Sequence, residues 1–272
     1  MTMTEPRPHG AKFSQRHLQA IEEVLLEEAR RLEYDPSGLR VLDNFAGCGL
    51  IHELPFDTRG IEIEPEWACA HPDTIVGDAT RLPFPDGSFD AVATSPTFAN
   101  RMADTYDRSN DTCQTCKGTG LTGPGIDCAR CDGTGKAASA TNTYLTKLGR
   151  RPSPGSSATM QWGKPYRQLH RRAWTEAARV LRPPTDDEPG GLLIVNVSNH
   201  QRTVGPKANR TRTYPPVVEF HLMVMLRLGF YLEAAMPIET RRYSHGQNGS
   251  SRTAHEFLLI GRLGRPLMRG EA

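Results

Sequence analysis

The stretch LRVLDNFAGCG, residues 39–49, decides how the fold is read. An apolar run too short for a helix ends on an acid, Asp43, and passes at once into a turn holding Gly47 and Gly49. This is the pattern of a buried strand delivering its C-terminal end to a tight turn. The rhythm recurs outward from it. RGIEIEPEWACA predicts a second strand and then a helix begun by Pro65, DTIVGDAT a third strand, and FDAVATS a fourth. LIHELPF, after the first turn, is expected to be helical but short because of Pro55. Upstream, helical apolar spacing runs from Phe13 to Leu32 and is broken by DPSG. Downstream, KPYRQLHRRAWTEAARVLRP predicts an amphipathic helix stopped by Pro183 and Pro184, and GGLLIVNVS a fifth strand. A helix in PPVVEFHLMVMLRLGF and two last strands, FYLEAAMPIET and HEFLLIGR, complete the chain. Short apolar strands alternating with helices predict a mostly parallel α/β sheet.

Between residues 99 and 164 this rhythm fails: the segment is rich in Gly, Thr, Ser and Arg and holds most of the cysteines. A compact domain carries so long an irregular segment when it has a function or a staple of its own. The expected organisation is an N-terminal helix and cofactor-binding part over 1–110, an insertion over 111–136, and a basic loop with the C-terminal part of the domain over 137–272.

The 272 residues suit one large domain or one domain with an insertion. Mean hydropathy is −0.52, no apolar run approaches the length of a membrane span, and no secretory signal opens the chain. A cytoplasmic location without a membrane partner is therefore expected. The net charge of +2 hides an asymmetry: residues 1–110 carry 10 Lys+Arg against 19 Asp+Glu, whereas 111–272 carry 23 against 12. Eight basic residues and no acid lie between Asp132 and Glu176, and four and no acid between Glu188 and Glu219. Such segregation points to a polyanionic partner, nucleic acid.

Three acids end three successive strands. Glu62 lies 19 residues after Asp43, where a carboxylate accepts both hydroxyls of a ribose, and Asp78 can accept from an adenine amine. The turn after Asp43 lacks both the G-x-G-x-x-G pattern and the lysine of phosphate-binding loops. An acid there repels phosphate but holds an ammonium group. S-adenosylmethionine, with adenine, ribose, amine and sulfonium, fits these requirements.

These residues resemble the Class I S-adenosylmethionine-dependent methyltransferases, within the amino-methylating (cytosine-N4 or adenine-N6) DNA methylases. VLDNFAGCG is similar to that family's first motif, GIEIEPEW to its second, GDA to its third, and TSPTF to its catalytic fourth. HGAKFSQRHLQAI resembles the segment that covers the methionine end of the cofactor. The resemblance implies a Rossmann-like α/β fold: a seven-stranded, mostly parallel sheet with one antiparallel strand and helices on both faces. It also implies cofactor contacts from Phe13, Asp43, Phe45, Ala46, Gly47, Gly49, Glu62, Asp78 and Ala79, and catalysis by Ser95, Pro96 and Phe98.

An exocyclic base amine is a poor nucleophile because its lone pair is delocalised into the ring. Acceptors for its N–H bonds let the nitrogen become tetrahedral, and Ser95 Oγ and the Pro96 carbonyl can serve. Phe98 can stack on the base. A base in a duplex must first swing out, at a cost of a few kcal/mol, and aromatic stacking returns about 1–3 kcal/mol. Thr97 stands where the family usually has a second proline.

CQTCKGTG begins at Cys113 and CARCDGTG at Cys128, two copies of Cys-x-x-Cys-x-Gly-x-Gly. Two such knuckles predict a closed, structural zinc site of Cys113, Cys116, Cys128 and Cys131. The repeats resemble the zinc-binding repeats of DnaJ chaperones over 113–135 only. At the expected rim of the site stand Ser198, Asn199 and His200 after the fifth strand, Arg241, Arg242 and Arg252 in the last loop, and Trp162 and Tyr166 among basic residues suited to stacking on bases. The same chemistry on RNA or a modified nucleoside, and a non-catalytic zinc-bearing nucleic-acid binder, are the rival readings.

Overall fold

The computed structural model describes residues 15–99, 112–113, 115–128, 135, 148–200, 202–204, 211–239 and 255–264. Seven strands form one sheet. They are β1 (Arg40–Asp43), β2 (Asp57–Glu62), β3 (Thr74–Val76), β4 (Ala91–Thr94), β7 (Leu192–Val197), β10 (Phe230–Glu239) and β11 (His255–Leu263). Their order is β10-β11-β7-β4-β1-β2-β3. The pairs β1–β2, β2–β3, β1–β4 and β4–β7 are parallel, while β11 runs antiparallel to both β7 and β10. This is a Rossmann-like α/β fold with one antiparallel strand. Two small hairpins lie outside the sheet: β5 (Leu121–Gly123) with β6 (Ile126–Asp127), and β8 (Arg202–Val204) with β9 (Thr211–Thr213).

Alternation along the central strands divides the core in two. Ala91 and Ala93, with Leu192 and Ile194, face α1 (Gln15–Arg31), where Leu18, Ile21 and Leu25 cover them. Val92, Leu193, Val195 and Val197 face the other way, onto Tyr166, Ala173, Trp174 and Ala177 of α3 (Lys164–Val180) and Phe220 and Val224 of α4 (Val217–Arg227). The segment expected as a helix after β1 is only a 3-10 turn, Leu50–Glu53. Its carbonyls cannot continue a helix into Pro55. The helix begun by Pro65 is likewise one turn, α2 (Pro65–Ala68).

One buried ionic cluster ties the outer elements together. Arg262 of β11 donates to both carboxylate oxygens of Glu28 on α1 at 3.0 and 2.8 Å, to Glu233 of β10, and to the Gly190 carbonyl at 3.2 Å. Glu28 also receives Arg31 at 2.6 Å. Burial pushes Glu28 upward, but the two guanidinium groups outweigh it and hold the carboxyl below its ordinary value. Among the described residues no helix is long and apolar enough to cross a membrane.

Candidate active site

The chain runs from β1 outward to β2 and β3, then crosses back to β4 on the other side of β1. Open α/β sheets bind ligands at such a reversal, beyond the carboxyl ends of the strands. Asp43 ends β1 and Thr94 ends β4, and Thr94 Oγ1 donates to Asp43 Oδ1 at 2.6 Å across the reversal. The Phe45 amide donates to the same oxygen at 3.0 Å. Burial pushes Asp43 up to about 6, against the pull of these two donors.

Above this seam lies a cleft of about 590 Å³, its open mouth included. Phe45, Glu62, Asp78, Ala79, Ser95 and Pro96 line it, six of the residues singled out in the sequence. Glu62 is held by two backbone donors, Gly47 N–H to Oε2 at 2.9 Å and Glu64 N–H to Oε1 at 2.8 Å. Burial nevertheless raises it to about 7. Asp78 is exposed at the cleft and accepts from the Thr80 amide at 2.8 Å. Asp43, Ala46, Gly47 and Gly49 are not among the residues that line the cleft, although Gly47 is tied to it through the bond from its N–H to Glu62. Gly47 and Gly49 have φ of 55° and 77°, the left-handed region open to glycine, and a Cβ on Gly49 would lie 2.7 Å from the His52 ring. Phe13 lies outside the described residues.

Ser95 and Phe98 are half-buried and Pro96 is buried. Phe98 belongs to no core cluster among the described residues. Ser95 Oγ accepts from Asn196 Nδ2 at 3.1 Å, and the same amide donates to Glu256 Oε2 at 2.8 Å. His17 Nε2 stands 3.1 Å from that carboxylate oxygen. The carboxylate can only accept, which fixes the amide's orientation. Asn196 is a contact that sequence reading missed; the signal was a lone polar residue inside the apolar strand LLIVNV. Ser198 and Asn199 follow β7 two and three residues after Asn196. Ser198 Oγ donates to the His255 carbonyl at 3.2 Å, and Asn199 Oδ1 accepts from Val218 N at 2.9 Å near the start of α4.

The far wall was also missed. Arg150 donates to Glu64 at 2.8 Å and to Glu66 at 2.7 Å through Nε, and Ser153 donates to Glu64 through N at 2.8 Å and Oγ at 2.9 Å. Glu64 is buried, so these bonds clasp residues 150–153 against the end of β2. Ser156, Ser157 and Ala158 then line the cleft, with Ala158 packed among Trp67 and Leu148. Asn44 also lines the cleft, and among the described residues both polar atoms of its buried amide lack a hydrogen-bond partner. A buried amide in that state is suited to a polar ligand.

Tyr166 corrects the expectation of a base-stacking residue: it points inward from α3 and is fully buried. Trp162 is half-buried, edge-on to Phe220, with the Arg167 guanidinium 5.3 Å from its ring centroid. Lys164, Arg171 and Arg172 are exposed along the same helix. Arg241, Arg242 and Arg252 lie outside the described residues.

In the insertion, the sulfurs of Cys113, Cys116 and Cys128 are buried and within 4.8 Å of one another, Cys113 and Cys128 at 3.9 Å. Sulfurs at tetrahedral corners ~2.3 Å from zinc are ~3.8 Å apart. The two repeats face each other: Cys113 N–H donates to Gly135 O, and a Cβ on Gly135 would lie 2.3 Å from Gly118 O. Cys131 lies outside the described residues.

No protein-family model and no curated protein sequence matches the chain. Solved structures do. An S-adenosylmethionine-dependent methyltransferase from Clostridium acetobutylicum is 8% identical, with TM-score 0.46 and 93% of each chain covered. Another from Mesorhizobium loti is 13% identical, with TM-score 0.42, covering 90% of this chain and 99% of its own. The cyclase SpnF is 16% identical, with TM-score 0.46, covering 97% and 88%. At these values the likeness adds nothing to the strand order, and function rests on the site's own residues.

Proposed function

We propose that this chain is an S-adenosylmethionine-dependent methyltransferase that modifies an exocyclic amine of a nucleobase in DNA. The observation that carries the reading is one cleft lined both by Glu62 and Asp78, which suit a nucleoside, and by Ser95 and Pro96, which suit an amine. When bound, S-adenosylmethionine supplies an electrophilic methyl group on sulfur. The Glu62 carboxylate accepts ribose hydroxyls, Asp78 accepts from the adenine amine, and the Asn44 amide meets the remaining polar atoms. Ser95 Oγ keeps one lone pair beyond the bond from Asn196, and with the Pro96 carbonyl it accepts the N–H bonds of the target amine. Phe98 stacks on the base. Catalysis then rests on position and local electrostatics, with no charged general base. The basic outer face of α3 supports a polyanionic target.

Nucleoside mass spectrometry of DNA and RNA from cells expressing the protein tests this, with Ser95→Ala as control. A new methylated base in DNA, absent with Ser95→Ala, is the expected result. A mark confined to RNA transfers the reading to RNA, and no mark in either removes it.

Cofactor binding is also expected to release protons. Burial raises Glu62 to about 7. A ribose that hydrogen-bonds the carboxylate favours its charged form and lowers that value. At about pH 6.5, S-adenosylhomocysteine should therefore displace a substantial fraction of a proton, and almost none well above pH 7. Calorimetry in two buffers of different ionisation enthalpy reads this directly; proton uptake would contradict it.

The insertion is proposed to hold one structural zinc through Cys113, Cys116, Cys128 and Cys131. Elemental analysis should find about one zinc per chain in the wild type and little in Cys128→Ser.

A further inference from the structure

The loop Ser95–Ala99 follows β4 without a second proline, so nothing in its own chemistry locks φ at Thr97. Ala99 sits at φ 59°, a conformation that a non-glycine residue keeps only when its surroundings impose it. Two hydrogen bonds reach the loop from α3 and the segment before it. Trp162 N–H donates to Ala99 O at 3.0 Å, and Tyr166 Oη donates to Thr97 O at 3.0 Å.

The second bond is the end of a buried chain. Tyr166 Oη is 2.9 Å from His221 Nε2, and Trp174 Nε1 is 2.8 Å from His221 Nδ1. All three side chains are fully buried. An indole N–H only donates, so His221 Nδ1 accepts and the neutral imidazole carries its proton on Nε2. That proton goes to Tyr166 Oη, which leaves the phenol proton for Thr97 O, a carbonyl that only accepts. The polarity is thus fixed from Trp174 through His221 and Tyr166 to the loop. Burial holds His221 well below its ordinary value and Tyr166 well above, so both inner links stay neutral near neutrality.

We propose that Tyr166, oriented by His221 and Trp174, is a positioning residue that sets the shape of the Ser95–Ala99 loop through the Thr97 carbonyl. It thereby holds Ser95 and the Pro96 carbonyl at the cleft. The inference rests on the function proposed above for that loop, and its test has a readout that does not require turnover. Hydrogen exchange of the full-length, zinc-replete protein compares amides of residues 95–99 with those of β7. In Tyr166→Phe the loop amides should exchange about tenfold faster while β7 is unchanged. Turnover on DNA should fall about tenfold or more in kcat, with KM for DNA within about threefold.

A phenol that served only to stabilise the fold would speed exchange in loop and strand alike and leave kcat within about twofold; that result overturns the proposal. If Tyr166→Phe does not fold, Trp174→Phe replaces it. Losing the donor that fixes the imidazole tautomer should speed loop exchange about threefold relative to β7, and equal exchange overturns the proposal. His221→Gln, which keeps a donor toward Tyr166 and an acceptor toward Trp174, should leave loop exchange as slow as in the wild type, and faster loop exchange over an unchanged β7 would overturn the assigned polarity. If the wild type methylates no nucleic acid, the proposed function falls, while the exchange ratio still decides the role of Tyr166.

Discussion

Replacing Glu62 with alanine is expected to weaken S-adenosylhomocysteine binding by about 100-fold, roughly 3 kcal/mol, in calorimetry at neutral pH. The carboxylate stands at the cleft with one lone-pair direction on each oxygen already taken, by Gly47 N–H at 2.9 Å and Glu64 N–H at 2.8 Å. Those two bonds aim the remaining lone pairs, so on the function proposed above a pair of ribose hydroxyls would meet a preset acceptor at little cost of reorganisation. Removing the side chain deletes both acceptors and leaves two amides unsatisfied, which also lowers stability by about 1–3 kcal/mol. Glu62→Gln keeps the volume but turns an amide NH₂ toward a backbone donor, and should fall between. Affinity within about threefold of wild type in a folded Glu62→Ala protein would mean that the ribose lies elsewhere.

The largest effect on stability is expected from Arg262→Ala. Arg262 is 5% exposed and Glu28 1%, so the substitution leaves a buried carboxylate without its bidentate partner, with Arg31 at 2.6 Å and Arg182 at 3.5 Å remaining. Breaking a buried pair from one side costs about 3–5 kcal/mol. For a chain of this size that is a fall in Tm on the order of 10 °C. The pH dependence carries the sign. Glu28 is depressed in the wild type, so its contribution is present above the ordinary carboxylate range and is lost as pH falls through the folded value. In the variant, burial acts on Glu28 with less opposition and the group protonates sooner. The deficit relative to wild type should therefore narrow on acidification. A Tm within about 2 °C of wild type at neutral pH would show that the cluster contributes little.

The parts of the fold that were legible in the sequence are those with a local period. Strands buried on both faces read as short apolar runs, and β1, β2, β4 and β7 all stand where such runs predicted them. Proline punctuation marked α2 and the end of α3, although it overstated the helix after β1. The acids at strand ends were legible because parallel strands bring their carboxyl ends to one side. The supports of the site were not legible. Glu64 meets Arg150 across 86 residues, Ser95 meets Asn196 across 101, and Thr97 meets Tyr166 across 69. A polar residue in an apolar run signals that a partner exists but carries no information about which one. Tyr166 shows the cost: its basic neighbours suggested a surface role, whereas helical phase turns it inward.

The bond from Trp162 N–H to Ala99 O has a consequence for the insertion. The chain leaves the sheet at Thr94, passes through the Ser95–Ala99 loop and is back beside Ala99 at Trp162, with Arg150 and Ser153 bonded to Glu64 on the way. The excursion is therefore a cassette whose two ends are already joined by the body of the domain. Lengthening such a detour raises its closure entropy only logarithmically, about 0.6 kcal/mol per doubling. Residues 150–158 are part of the cleft wall, so a change of length is cheap only in the stretch before them.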